Sequence, residues 1–143
     1  MQNIPSRVYK GISFKKGAMP DLELLKSCFI KEGIFINNKA ESPVIKPVLD
    51  YVDMISNNIE NGNILAIRET EISQNIQIFG KVAQISSNYE LDFEGKNVSQ
   101  IRYGVNLFQL INVNGQWLIS SMCWDDRNDK SLFSDNVNNS SIV

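Results

Sequence analysis

Residues Tyr103 to Arg127 read YGVNLFQLINVNGQWLISSMCWDDR, with two apolar runs flanking Asn114-Gly115. Asn and Gly tolerate the positive φ that a two-residue type I′ turn requires, so the stretch reads as a long antiparallel hairpin. Counting outward from the turn, Val113 is expected opposite Gln116, Ile111 opposite Leu118, Leu107 opposite Met122 and Val105 opposite Trp124, which makes one face almost wholly apolar. The other face follows from the period of two: Asn112 with Trp117, Leu110 with Ile119, Phe108 with Ser121, Asn106 with Cys123 and Gly104 with Asp125. A slip of one residue would exchange every one of these assignments. A sheet apolar on both sides must be covered on both, by helices and by something else, of which a second subunit is one form.

The elements on either side are read in the same way. Ile4, Val8 and Ile12 form a narrow stripe of a short first helix, with Pro5 tolerated in its first turn. Met19-Pro20-Asp21 opens a second helix running to about Phe29 or Ile30, and Gly33 to Ile36 reads as a short strand. Val44-Ile45 is a candidate short strand before a third helix over Pro47 to Asn61, whose apolar side is Val48, Tyr51, Val52, Ile55 and Ile59. Ile64 to Phe79, Lys81 to Phe93 and Val98 to Val113 are three long strands separated by Gly80 and by Glu94-Gly95-Lys96. Strands of that length suit a strongly curved sheet wrapped around helices. Residues 1–127 thus form one α+β domain, and the polar, Asn/Ser-rich stretch 128–143 is expected to be a disordered tail.

Gly115-x-Trp-x-Ile-x-Ser-Met-x-Trp-Asp-Asp126, preceded by Asn106-Leu-Phe-Gln-Leu110, resembles the last two strands of the nuclear transport factor 2-like superfamily, which includes SnoaL-like polyketide cyclases, scytalone dehydratase and ketosteroid isomerase. The resemblance spans roughly Met19 to Arg127. It implies a cystatin-like cone, a curved and mostly antiparallel sheet around N-terminal helices that enclose a pocket. Such domains generally open with a longer helix, so the resemblance implies that this chain either begins inside that helix or has reduced it. Where ketosteroid isomerase places its proton-shuttling Asp, near the first strand, this chain has Asn37 and Asn38, which cannot act as a base.

Composition narrows the chemistry. The chain has no histidine, which removes Ser-His and Cys-His nucleophile pairs, imidazole metal sites and histidine acid–base catalysis. It also departs from the histidine-with-aspartate sites of scytalone dehydratase-like relatives. Cys28 and Cys123 are too few for a disulfide framework or a thiolate zinc site and read as free thiols. A net charge of −2 offers no general attraction to phosphate backbones, so nucleic acid is not an expected partner. No apolar run approaches the ~20 residues of a membrane span, and no secretory signal is visible, so the cytoplasm is the expected compartment. Neither a metal nor a cofactor is implied.

Any catalysis must therefore use carboxylates, tyrosines, lysines or thiols. The hairpin's mixed face points to a pocket lined by Asn106, Phe108, Trp117, Ser121 and Cys123, with Tyr51 approaching from the third helix. Asp125 at its polar end is the first candidate for a general base, because desolvation raises a carboxyl's pKa toward neutrality; a hydrogen-bonded place at the strand rim is the competing reading. Glu69 is the second candidate. It shares a strand face with Glu71, about 7 Å along, and a solvated outer face would explain that pair equally well. Tyr9, Tyr89 and Tyr103 are candidates to steady an oxyanion. Leu107, Ile111, Leu118, Met122 and Trp124 are the expected face of a homodimer. The function expected first is binding of a small apolar or amphipathic molecule. A cofactor-free lyase, isomerase or cyclase using Asp125 or Glu69, and a protein-interaction module, stand beside it.

Overall fold

In the computed structural model, which describes residues 1–133, Asn114 and Gly115 lie at φ 54° and 87°, the left-handed pair that a type I′ turn needs. Asn112 Oδ1 accepts from the Gly115 amide at 2.9 Å. Around that turn the chain runs α1 (Ile4–Ile12), α2 (Leu22–Ser27), β1 (Phe29–Asn37), β2 (Val44–Pro47), α3 (Val48–Glu60), β3 (Ile64–Phe79), β4 (Val82–Gly95), β5 (Ser99–Val113), β6 (Gln116–Arg127) and a 3-10 turn at Lys130–Phe133. The six strands form one sheet in the order β2-β1-β6-β5-β4-β3. Every neighbouring pair is antiparallel except β1 with β6. The fold is α+β, with a curved, open sheet and its helices at the N-terminal side of the chain.

Near the turn the hairpin register is the expected one, from Val113 with Gln116 to Leu110 with Ile119. Beyond Leu110 it changes. Ser121, not Ser120, pairs with Gln109, so two residues of β6 oppose one of β5 and the strand carries a bulge. Ser120 Oγ donates to the Gln109 carbonyl at 3.1 Å. From there to the end the partners are Phe108 with Met122, Leu107 with Cys123, Asn106 with Trp124, Val105 with Asp125 and Gly104 with Asp126. The expected pairs Leu107–Met122, Val105–Trp124, Phe108–Ser121, Asn106–Cys123 and Gly104–Asp125 are therefore corrected by one residue. Because side chains alternate, that residue turns Met122, Trp124 and Asp126 toward the helices and sends Ser121, Cys123 and Asp125 to the outer face.

The inner face of the sheet and the helices share one core. Ile4, Val8, Tyr9 and Ile12 of α1, Leu25 of α2, Phe35 of β1, Val52 and Ile55 of α3, and Ile85, Tyr89, Phe108, Leu110, Ile119 and Met122 of the sheet are all buried. The narrow apolar stripe of α1 suffices because Gly11 lets the helix lie against α2: a Cβ there would meet the Leu25 backbone nitrogen at 2.9 Å. Phe35 stacks on Tyr51 at 3.9 Å between ring centroids, and Trp124 meets both rings edge-on, so α3 is held over β1 and β6 by aromatic packing. The second helix ends earlier than expected, at Ser27, because β1 begins at Phe29 and is itself longer than the expected Gly33–Ile36. Residues 130–133 of the expected tail are helical, with Phe133 edge-on to Tyr103 at 6.0 Å; residues 134–143 of that tail lie outside the described residues.

Candidate functional site

Between the helices and the inner face lies a cavity of about 140 Å³. Its apolar wall comes from Ile12 of α1, Ile55 of α3, Ile67 of β3, Leu91 and Phe93 of β4 and Met122 of β6. The polar groups facing it are Asn37 and Lys39 at the end of β1, Tyr51 of α3, Glu69 of β3, Tyr89 of β4, Asn106 of β5 and Asp126 of β6. Each strand contributes through its period of two. Glu69 lies across from Leu91 on β4, and Asn106 across from Ser87 on β4 and Trp124 on β6. The Glu69 main chain is pinned where α1 ends: its amide is bonded to Ser13 Oγ at 3.0 Å, and Phe14 exchanges backbone hydrogen bonds with Ile67.

Two carboxyls in this site have opposite surroundings. Asp126, with its side chain 1% exposed, is fully partnered. Arg102 Nε donates to its Oδ1 at 2.7 Å and Arg102 Nη2 to its main-chain oxygen at 2.9 Å. Tyr89 Oη donates to its Oδ2 at 2.9 Å, with Lys39 Nζ at 3.6 Å. A buried carboxylate so surrounded is balanced, and its oxygens are already engaged. Among the described residues Glu69 has no comparable cation. Desolvation is the largest influence on it and raises its pKa to about 8; the Asn106 amide pulls it down, the Asp126 charge pushes it up and Lys39 pulls it down. Burial also raises the phenol pKa of Tyr51, with the Glu69 charge adding to it.

The sequence candidates are distributed as follows. Tyr51, Asn106 and Glu69 line the cavity. Phe108 is fully buried in the core, and Trp117 packs against that core nearer the hairpin turn. Asp125 is exposed on the outer face, where it borders a separate hollow of about 260 Å³ with Val105, Leu107 and Cys123. Ser121 is on that face too. Of the tyrosines, Tyr89 is bound to Asp126, Tyr9 bridges Ser87 and Asn106, and Tyr103 stands against Phe133. The five residues expected to form a dimer face divide: Leu107 is 47% exposed and Ile111 and Leu118 share its side of the hairpin, while Met122 and Trp124 belong to the interior.

Asp126, Arg102 and Lys39 were not among the candidates. One trace of them was present in the sequence: the bulky apolar residues of β6 fall at 117, 118 and 119 and then at 122 and 124, so an alternation set by Trp117 and Ile119 slips by one across Ser120-Ser121. That slip puts Asp126 rather than Asp125 inside. Cys28 and Cys123 are free thiols, the first buried. Among the described residues no group of three or more His, Cys, Asp or Glu is placed to hold a metal ion, and no helix is long and apolar enough to cross a membrane.

No protein-family model matches the sequence, and no curated protein matches it. Solved structures do match the fold. A protein of unknown function with a cystatin-like fold from Nostoc punctiforme is similar at 13% identity and TM-score 0.66, over 92% of this chain and 91% of that one. An NTF2-like protein of unknown function from Shewanella baltica matches at 15% identity and TM-score 0.59, over 90% and 91%. A hexachlorocyclohexane dehydrochlorinase, LinA-type3, from Novosphingobium barchaimii matches at 12% identity and TM-score 0.70, over 88% and 82%. With its six-stranded curved sheet and N-terminal helices, the chain has the nuclear transport factor 2-like, cystatin-like fold.

Proposed function

We propose that the protein binds a small, largely apolar molecule inside the cone and that Glu69 exchanges a proton with it, in the manner of a cofactor-free lyase or isomerase. The observation that carries this reading is the place of the Glu69 carboxyl on the wall of a cavity with an apolar side, where burial raises its pKa to about 8. A carboxyl with that pKa supplies both forms near neutral pH: roughly nine-tenths protonated at pH 7, able to donate, with the ionised remainder a stronger base than an ordinary glutamate. In the basic direction, a ligand C–H gives its proton to a Glu69 carboxylate oxygen. The electron pair left behind forms a double bond, either by expelling a leaving group or by moving onto a carbonyl oxygen. Tyr51, beside Glu69 on the cavity wall, is available to donate to that oxygen or leaving group.

The cavity, about 140 Å³, is near the ~150 Å³ of an engineered apolar cavity that takes up benzene, so the molecule is about one six-membered ring in size. A dehydrochlorinase among the fold's neighbours supports the scaffold's suitability for elimination, without naming this chain's substrate. Cyclohexanone in D₂O is a direct probe: it fits the volume, and exchange of its α-hydrogens reports proton transfer. NMR should show exchange accelerated by the wild type, with the rate rising through pH 8, and no acceleration by Glu69→Gln. Asp125→Asn should behave as wild type. Equal exchange with the wild type and Glu69→Gln, or no binding of the ketone, would overturn the reading.

A further inference from the structure

A line of hydrogen bonds runs from the cavity wall through the core to Glu71. Asn106 Nδ2 donates to Tyr9 Oη at 2.9 Å, Tyr9 Oη and Ser87 Oγ are 2.7 Å apart, and Ser87 Oγ donates to Glu71 Oε2 at 2.6 Å. Gln74 Nε2 occupies Glu71 Oε1 at 2.8 Å. Ser87 and Asn106 are 0% and 1% exposed, so bulk solvent does not reach these groups. The direction of the line follows from the hydrogen count. A carboxylate has no hydrogen to give, so the one hydroxyl hydrogen of Ser87 goes to Glu71. Ser87 can then only accept from Tyr9. With its hydrogen spent, Tyr9 can only accept, and it must face the NH₂ end of the Asn106 amide. The reversed amide would set oxygen against oxygen.

The buried Asn106 Oδ1 has no hydrogen-bond partner among the described residues. An amide free to turn would satisfy that oxygen from a tyrosine hydroxyl, so the arrangement observed is one imposed from outside the amide. The same amide lowers the proton affinity of Glu69. We infer that Glu71, Ser87 and Tyr9 form a positioning chain that holds the NH₂ end of Asn106 toward Tyr9 and Glu69, and so sets how readily Glu69 gives up its proton. This rests on the reading of Glu69 as the proton-transfer group. The other titratable or charged groups around Glu69 are Tyr9 on α1, Lys39 after β1, Tyr51 on α3, Glu71 on its own strand, Tyr89 on β4 and Asp126 on β6 with its partner Arg102.

Breaking the chain frees the amide to reverse. In Ser87→Ala, Tyr9 regains a hydrogen to give, Asn106 Oδ1 turns to accept it, and the amide no longer presents its NH₂ end toward Glu69. In Glu71→Gln, with Gln74 still donating to the side-chain oxygen, the new NH₂ group donates to Ser87. The whole line then runs backwards and reverses the amide in the same way. The Glu69 Cδ resonance, followed by ¹³C NMR against pH, should show a midpoint higher than wild type by about one pH unit in both variants.

Charge alone makes the opposite prediction for Glu71→Gln, since removing a neighbouring negative charge lowers a carboxyl's pKa. An unchanged or lowered midpoint in that variant overturns the inference. A wild-type midpoint at the ordinary glutamate value would instead overturn the reading of Glu69 itself. Should neither variant fold, the wild type still decides: the Asn106 side-chain amide hydrogens should show cross-relaxation to the Tyr9 ring and slow exchange with solvent, and their absence refutes the chain.

Discussion

In the unfolded chain Glu69 titrates near the ordinary value of 4.5, and in the folded protein near 8, so between those values the native state keeps a proton that the unfolded state has lost. Stability falls through that window, by about 1.4 kcal/mol per pH unit where the difference is complete, and stops falling once pH exceeds the folded value. Glu69→Gln removes this contribution. Urea unfolding should find the variant more stable than wild type by a few kcal/mol at pH 9, with the gap closing toward pH 4. A gap independent of pH would show that Glu69 is not desolvated. Asp125, exposed on the outer face, should tolerate replacement by Asn within about 0.5 kcal/mol. Residue type was legible for Glu69, but its face was not, because its strand alternates imperfectly and shifts register between Glu71 and Ser73. Nor was its depth, because desolvation depends on what α1 and α3 place over it.

At the scale of the elements, the bulge in β6 and the close approach of β4, β5 and β6 around Gly104 set the site. A Cβ at Gly104 would lie 2.5 Å from the Asp125 carbonyl oxygen, from Asp126 Cβ and from Tyr89 Oη. None of those can withdraw without parting the strands or breaking the Tyr89–Asp126 bond. Gly104→Ala should therefore cost roughly 2–4 kcal/mol in urea unfolding, and a loss below about 0.5 kcal/mol would mean that the strands are not so tightly apposed. Arg102→Leu leaves Asp126 buried with one cation, Lys39, at 3.6 Å, and a loss of about 3–5 kcal/mol is expected. Asp126→Asn in that background should recover part of it, and a double variant no more stable than Arg102→Leu would count against the pairing. The strands themselves were readable from turn residues and alternation. The bulge left only the slip of alternation across Ser120-Ser121, blurred by Leu118, since a one-residue register change is settled by which side chains the core accepts.

At the scale of the whole molecule, the outer face of the sheet leaves Leu107 and Ile101 nearly half exposed, Leu107 beside the hollow that Asp125 and Cys123 border. The homodimer proposed from the sequence would use this face. Sedimentation should find a dimer in the wild type that Leu107→Lys dissociates, while a wild type monomeric at high concentration removes the proposal. By itself the amino-acid sequence determined the α+β class, the long strands, the Asn114-Gly115 reversal and the exclusion of histidine chemistry, because propensity, turn geometry and residue type are local properties. Only the tertiary structure decided that Asp126 turns in and Asp125 out, that Met122 and Trp124 line the interior, and that Glu69 stands in a cavity beside Asn106. Those outcomes depend on the volume between helices and sheet, which residues far apart in the chain define together.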